Sequence, residues 1–174
     1  MMGWKISGAK PKYKKVLLIV EPHTSNWDLI LGLLAACYFE INLKFVIKSE
    51  AMFFPLNLIL KPLGAIPINR KRNKLTSVSN IDIICEKIES FDEAAIAISP
   101  KGTRGKVNRL KTGFFVIAKK ENIPICLGFF DYKNKIVGIG DCHFVEDNFE
   151  DEVKKLNDFY KDKYGKYPEN NFFK

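Results

Sequence analysis

Histidine is scarce in this chain: only His23 and His143 occur among 174 residues. The four cysteines, Cys37, Cys85, Cys126 and Cys142, form no CxxC pair. Without clustered sulfur and imidazole there is no ligand set for a structural zinc site. The cysteines sit in apolar, core-like runs, so they are expected as buried, reduced thiols and not as a disulfide framework. Long hydrophobic runs are missing too. The longest, Leu29–Phe39, has eleven residues, against the ~20 that a membrane-spanning helix needs. The basic N-terminus leads only into the short run Val16–Val20, without a small-residue cleavage site, so no signal peptide is read there. A bacterial-type cytoplasmic setting is the default expectation. No internal repeat, linker or low-complexity tract breaks the chain.

What is present is a globular balance, 47% hydrophobic and 28% charged, too apolar for general disorder. At ~100–200 residues per domain, the length makes one domain. Acids are absent from three stretches. Residues 1–20 carry five lysines, residues 61–74 carry Lys61, Arg70, Lys71, Arg72 and Lys74, and residues 101–120 carry seven basic residues. Residues 141–152 reverse this with six acids and no Lys or Arg. The formal net charge of +8 invites anionic partners. One basic cluster alone reads as a solvated face. Basic stretches at strand-to-helix joints mark where open α/β sheets bind ligands.

The hydrophobic pattern alternates strands with helices. Strands are expected at Lys15–Val20, Leu43–Lys48, Ala65–Ile68, Ala94–Ile98, Ile123–Phe130 and Lys135–Ile139. Helices are expected at Leu29–Phe39, Phe53–Leu60, Asn80–Phe91, Lys111–Lys120 and Phe149–Tyr164, and Ser25 and Asp28 have the spacing of a capping box before the first. The last ten residues are expected to be loosely held. The fold class is therefore α/β: a single domain with a mixed, mainly parallel sheet flanked by helices. The motif-bearing core spans about 15–140 and a charged C-terminal helix about 149–164.

Four blocks carry candidate chemistry. The first, His23-Thr24-Ser25-Asn26-Trp27-Asp28, directly follows a strand. A carboxylate that accepts from one imidazole nitrogen leaves the other basic, so His23 and Asp28 fit a general base and its orienting acid. The same residues also fit a turn histidine and a helix-capping acid. The second block, Leu63-Gly64-Ala65-Ile66-Pro67-Ile68-Asn69-Arg70, ends in a guanidinium fork suited to phosphate, or in a plain surface arginine. The third, Ser99-Pro100-Lys101-Gly102-Thr103-Arg104, joins a flexible glycine to several donors, as an anion nest or an exposed basic turn. The fourth, Ile123-Pro124-Ile125, opens a strand and is structural in itself.

Taken in order, HTSNWD, LGAIPINR, SPKGTR and IPI resemble the four-block pattern of the glycerolipid acyltransferase family, whose bacterial members include the lysophosphatidic acid acyltransferases. The resemblance implies a glycerol-3-phosphate acyltransferase-like fold. It implies His23 as general base and Asp28 as its orienting carboxylate. Arg70 and Arg104 would hold the acceptor's phosphate. Lys101, Gly102 and Thr103 would complete the binding loop, with a backbone donor for the phosphate or a developing oxyanion. The donor would be acyl-CoA or acyl carrier protein and the acceptor a lysophospholipid such as 1-acylglycerol-3-phosphate. No bound cofactor, metal or nucleic acid is implied. Charge alone adds Lys106, Arg109 and Lys111 as a second anion site.

One departure stands out. The family's third block reads approximately Phe-Pro-Glu-Gly-Thr-Arg-Ser, and this chain has Lys101 at the glutamate. A lysine donates and cannot accept. Either the pocket takes a more anionic acceptor, or the chain is a non-catalytic relic that binds lipid headgroups or other anions. Ser99 for phenylalanine and Gly105 for serine are milder changes. With only 22 residues before His23, attachment to an anionic membrane, at the inner face of the cell membrane, is expected to be peripheral. Candidate contacts are Trp4 with its neighbouring lysines, and the run Met52–Leu58. Core packing is the competing reading of that run.

Overall fold

The computed structural model describes residues 3–68 and 79–173. Its strands are β1 (Lys5–Gly8), β2 (Lys15–Glu21), β3 (Leu43–Lys48), β4 (Ala65–Ile68), β5 (Ala94–Ile98), β6 (Ile125–Asp131) and β7 (Ile136–His143). Its helices are α1 (Trp27–Tyr38), α2 (Leu56–Leu60), α3 (Asn80–Glu89), α4 (Gly113–Glu121) and α5 (Phe149–Tyr160). All seven strands join one sheet in the order β1-β7-β6-β2-β5-β3-β4. Neighbouring pairs are parallel except β6 with β7, so β7 and its partner β1 run against the other five.

Strand β2 sits near the centre because both its faces are apolar. Val16 and Leu18 join Leu31 and Ala35 of α1, and Phe39 just after it, on one side. Leu17 and Ile19 join residues of α3, α4 and α5 on the other. This period-two split is what a strand covered on both faces requires. The result is a three-layer α/β domain with a seven-stranded, mostly parallel mixed sheet. It places the carboxyl ends of β2, β3, β5 and β6 along one rim.

The sequence pattern missed β1, a four-residue strand whose partner β7 lies some 130 positions away. Trp4, a candidate membrane contact in the sequence, is partly buried and sets its ring edge-on to Tyr132, 5.0 Å between centroids. It packs against the α1 side of the core. Strand β7 runs on through Gly140–His143, where Asp141 had hidden its continuation. The expectation of reduced cysteines fails for one pair: Cys126 and Cys142 face each other across β6 and β7 and form a disulfide. Cys37 and Cys85 are free thiols.

Residues 165–173 are also held, contrary to expectation. Phe173 is buried and stacks on Tyr160, with centroids 5.5 Å apart. The Asn171 side chain accepts from the Gly165 amide at 3.2 Å and donates to the Lys163 carbonyl at 3.0 Å. Tyr160 itself is fully buried and donates to the carbonyls of Ile19 and Gly128, at 2.8 and 3.0 Å. These bonds pin α5 beneath the tips of β2 and β6. Burial drives the Tyr160 hydroxyl far above its ordinary pKa, so it stays a donor. Tyr160→Phe is expected to cost about 1–2 kcal/mol of stability. It should appear as a lower urea midpoint with an unchanged slope, and an unchanged midpoint would show that the sheet alone satisfies those carbonyls.

Candidate active site

After Glu21 the chain turns through Pro22 into His23–Asn26, and α1 begins. Asp28, in the first turn of α1, is buried and accepts four hydrogen bonds. Its Oδ2 takes His23 Nδ1 and the amides of Thr24 and Ser25, each at 2.9 Å. Its Oδ1 takes the Tyr132 hydroxyl at 2.6 Å. The expected capping box is therefore half-formed. The Ser25 hydroxyl accepts from the Trp27 amide at 3.2 Å and not from Asp28, and α1 starts after Asn26 without a side-chain cap. A complete box forms at Ser79 and Asp82, at the head of α3.

Burial pushes the Asp28 carboxyl up, but the bonds from His23, Tyr132 and the Ser25 amide outweigh it and hold its pKa below the ordinary aspartate range. Burial and the Asp28 bond push the Tyr132 hydroxyl well above its usual range, so it remains a donor. An ionised carboxylate only accepts. The ring proton of neutral His23 therefore sits on Nδ1, and Nε2 is left as the basic nitrogen. The His23 side chain keeps 27% of its surface exposed and lines the main cleft.

The third block follows β5 and meets His23 from the side. Gly102 has φ +63°, which favours glycine, and its amide donates back to the Ser99 carbonyl at 2.9 Å. That amide is engaged within the turn. Thr103 and Arg104 are exposed, and they line the cleft together with Lys106, Arg109 and Lys111. Lys101 also borders it but is only 1% exposed. Its ammonium donates to the Asn170 carbonyl at 2.7 Å. Arg70 lies outside the described residues.

The cleft opens at the carboxyl ends of the parallel strands, where open α/β sheets bind ligands. Its volume is about 1470 Å³, beyond the ~300–1,000 Å³ of a small-molecule pocket. One wall is apolar, with Val20, Leu29, Gly32, Ala36 and Phe130 among its residues, and the third block forms a basic rim. A histidine–aspartate pair stands between them.

Four supporting groups had no sequence signal. Tyr132 comes from the β6–β7 turn. Glu21 hides at the end of an apolar strand. Thr24 accepts from the Tyr167 amide at 3.2 Å. Asn170 contributes only its backbone. A lone tyrosine, a lone glutamate and a carbonyl carry no pattern until the fold assembles them.

The Acyltransferase family model matches residues 4–126, well over half of the chain. The chain belongs to this family. It is an acyltransferase, as its four ordered blocks imply. No curated protein and no solved structure gives a significant match. Among the described residues, no helix is long and apolar enough to cross a membrane.

The bonds to Asp28 make an acid-side prediction. Its folded pKa lies below its unfolded one, so within that window the unfolded chain binds the extra proton. The contribution to stability is complete above the ordinary aspartate range and is lost as pH falls through the folded value. Urea midpoints followed from neutral to strongly acid pH should fall less steeply in Asp28→Asn than in wild type. Equal slopes would remove Asp28 from the account.

Proposed function

We propose that this acyltransferase moves a fatty acyl group from acyl-CoA or acyl carrier protein to the hydroxyl of a lysophospholipid such as 1-acylglycerol-3-phosphate, with His23 as general base. The observation that carries the reading is the His23 Nδ1 to Asp28 Oδ2 bond of 2.9 Å beside the cleft. In this reading His23 Nε2 takes the acceptor's hydroxyl proton while the hydroxyl oxygen attacks the thioester carbonyl. Asp28 stabilises the imidazolium that forms. The tetrahedral intermediate collapses, the carbon–sulfur bond breaks, and the imidazolium returns its proton to the leaving thiolate. No acyl-enzyme is formed.

The basic rim supports the choice of a phosphate-bearing acceptor. Arg104 and Arg70 would meet the phosphate, with Gly102 and Thr103 shaping the loop around it. The apolar wall suits acyl chains, which the hydrophobic effect draws out of water.

The same reading brings the protein to a lipid surface, at the cytoplasmic face of the cell membrane, in phospholipid biosynthesis. The run after β3 supports it. Phe53, Phe54, Leu58 and Ile59 are 61%, 76%, 64% and 58% exposed, so the core-packing reading of this run does not hold for them. Exposed Lys48 and Lys61 flank it, in a chain of net charge +8. Exposed apolar side chains between basic residues match the interface of an anionic bilayer. Each lysine near such a surface adds ~1 kcal/mol.

Two experiments test this. Lysophosphatidic acid dispersed in liposomes, with acyl-CoA or acyl-carrier-protein donors, should give a diacyl product by mass spectrometry. His23→Ala should lower turnover by roughly 10²–10⁴-fold, and full turnover in that variant would end the general-base reading. Separately, Phe53→Ser/Phe54→Ser should weaken co-flotation with anionic vesicles while leaving the urea midpoint in place. Unchanged flotation would move the membrane contact elsewhere.

A further inference from the structure

Two of the three departures from the family's third block converge on one residue that belongs to no block. Glu21, the last residue of β2, is 1% exposed. Its Oε1 accepts from the Ser99 hydroxyl at 2.6 Å, and its Oε2 accepts from the His23 amide at 3.0 Å. Lys101, two residues beyond Ser99 and equally buried, makes no direct ion pair with Glu21, but each charge favours the charged form of the other through the buried space between them. A phenylalanine at 99 could not donate to this carboxylate, and a glutamate at 101 would repel it.

We propose that Glu21, Ser99 and Lys101 form one buried positioning unit that takes the place of the family's third-block glutamate. The carboxylate comes from the end of β2 and not from the loop after β5, and it fixes the backbone of the catalytic histidine. Lys101 is its counter-charge and carries the restraint onward to the C-terminal turn through the Asn170 carbonyl. Both oxygens of Glu21 accept hydrogen bonds, which offset part of the burial that raises its pKa. The lysine therefore does not mark a lost site. It is the partner whose charge favours the ionised form of this buried carboxylate.

The unit acts through His23, so its kinetic consequence rests on the acyl-transfer reading. Glu21→Gln, Lys101→Met, their double variant and Lys101→Glu are compared with wild type on lysophosphatidic acid. The two neutral single variants should each lower kcat ~10- to 100-fold through misplaced His23, with KM for the acceptor changing little. The double variant should lose much less than the product of the two, because both buried charges leave together. Lys101→Glu, which restores the family residue, should be the least active. Multiplicative losses, or wild-type kcat in Lys101→Glu, overturn the proposal. So does a raised KM at unchanged kcat in Lys101→Met, which would assign the ammonium to phosphate binding.

A readout without turnover separates this proposal from the acyl-transfer reading. The His23 amide resonance, followed by ¹H–¹⁵N NMR, should move in Glu21→Gln, in Lys101→Met and in Ser99→Ala. If wild type gives no product, the acyl-transfer reading fails alone and the amide resonance decides. Displacement in Lys101→Met supports the unit, and an unmoved peak overturns it. Should the Lys101 variants not fold, Ser99→Ala decides in the same way.

Discussion

Asp28 is the constraint around which the rest of the site is arranged. One buried carboxylate receives a ring nitrogen, two backbone amides and a phenol. A buried charge is tolerated only when its acceptor capacity is filled. That requirement places the His23–Ser25 turn over the first turn of α1. It also draws the β6–β7 hairpin, through Tyr132, to the same point. The imidazole tautomer follows: Nδ1 faces the carboxylate, and Nε2 is left for chemistry. The α/β scaffold delivers a strand end, a helix start and a hairpin to one rim, and the carboxylate locks them together.

The residues after α5 complete the arrangement from behind. The Tyr164 carbonyl accepts from the Tyr132 amide at 2.8 Å. The Tyr167 amide donates to the Thr24 hydroxyl at 3.2 Å, and the Asn170 carbonyl accepts from Lys101. A single short segment therefore touches all three pieces that meet at the site. Tyr160 and Phe173 anchor it in the core. The C-terminal segment, polar and aromatic in sequence, acts as structural backing for the His23–Asp28 loop.

The parallel core was legible because its strands are short apolar runs between helical periods, as with Ala94–Ile98 and Leu43–Lys48. The His23–Asp28 pair was legible because five residues across a strand-to-helix turn suffice to bring the two groups together. Other features depend on distant partners. Strand β1 exists because β7 offers it an edge, and the disulfide because β6 and β7 align Cys126 with Cys142. A sequence separation of 16 gives no sign of that register. Tyr132 and Glu21 are single polar residues whose role appears only when another loop arrives.

The buried charges explain why lysine fits where the family has glutamate. Glu21 and Asp28 supply two negative charges and Lys101 one positive charge, all largely removed from water. Burial pushes the Glu21 pKa above the ordinary glutamate range, and Ser99, Lys101 and the His23 amide offset only part of that rise. Burial lowers the Lys101 pKa, while Glu21 and Asp28 support its charge. A third carboxylate at position 101 would force one of the three to hold a proton, because close buried like charges do not all ionise. A protonated carboxyl donates where it had accepted, and neither Glu21 nor Asp28 has an oxygen to spare for that. The lysine therefore keeps both acceptor sets intact around the histidine.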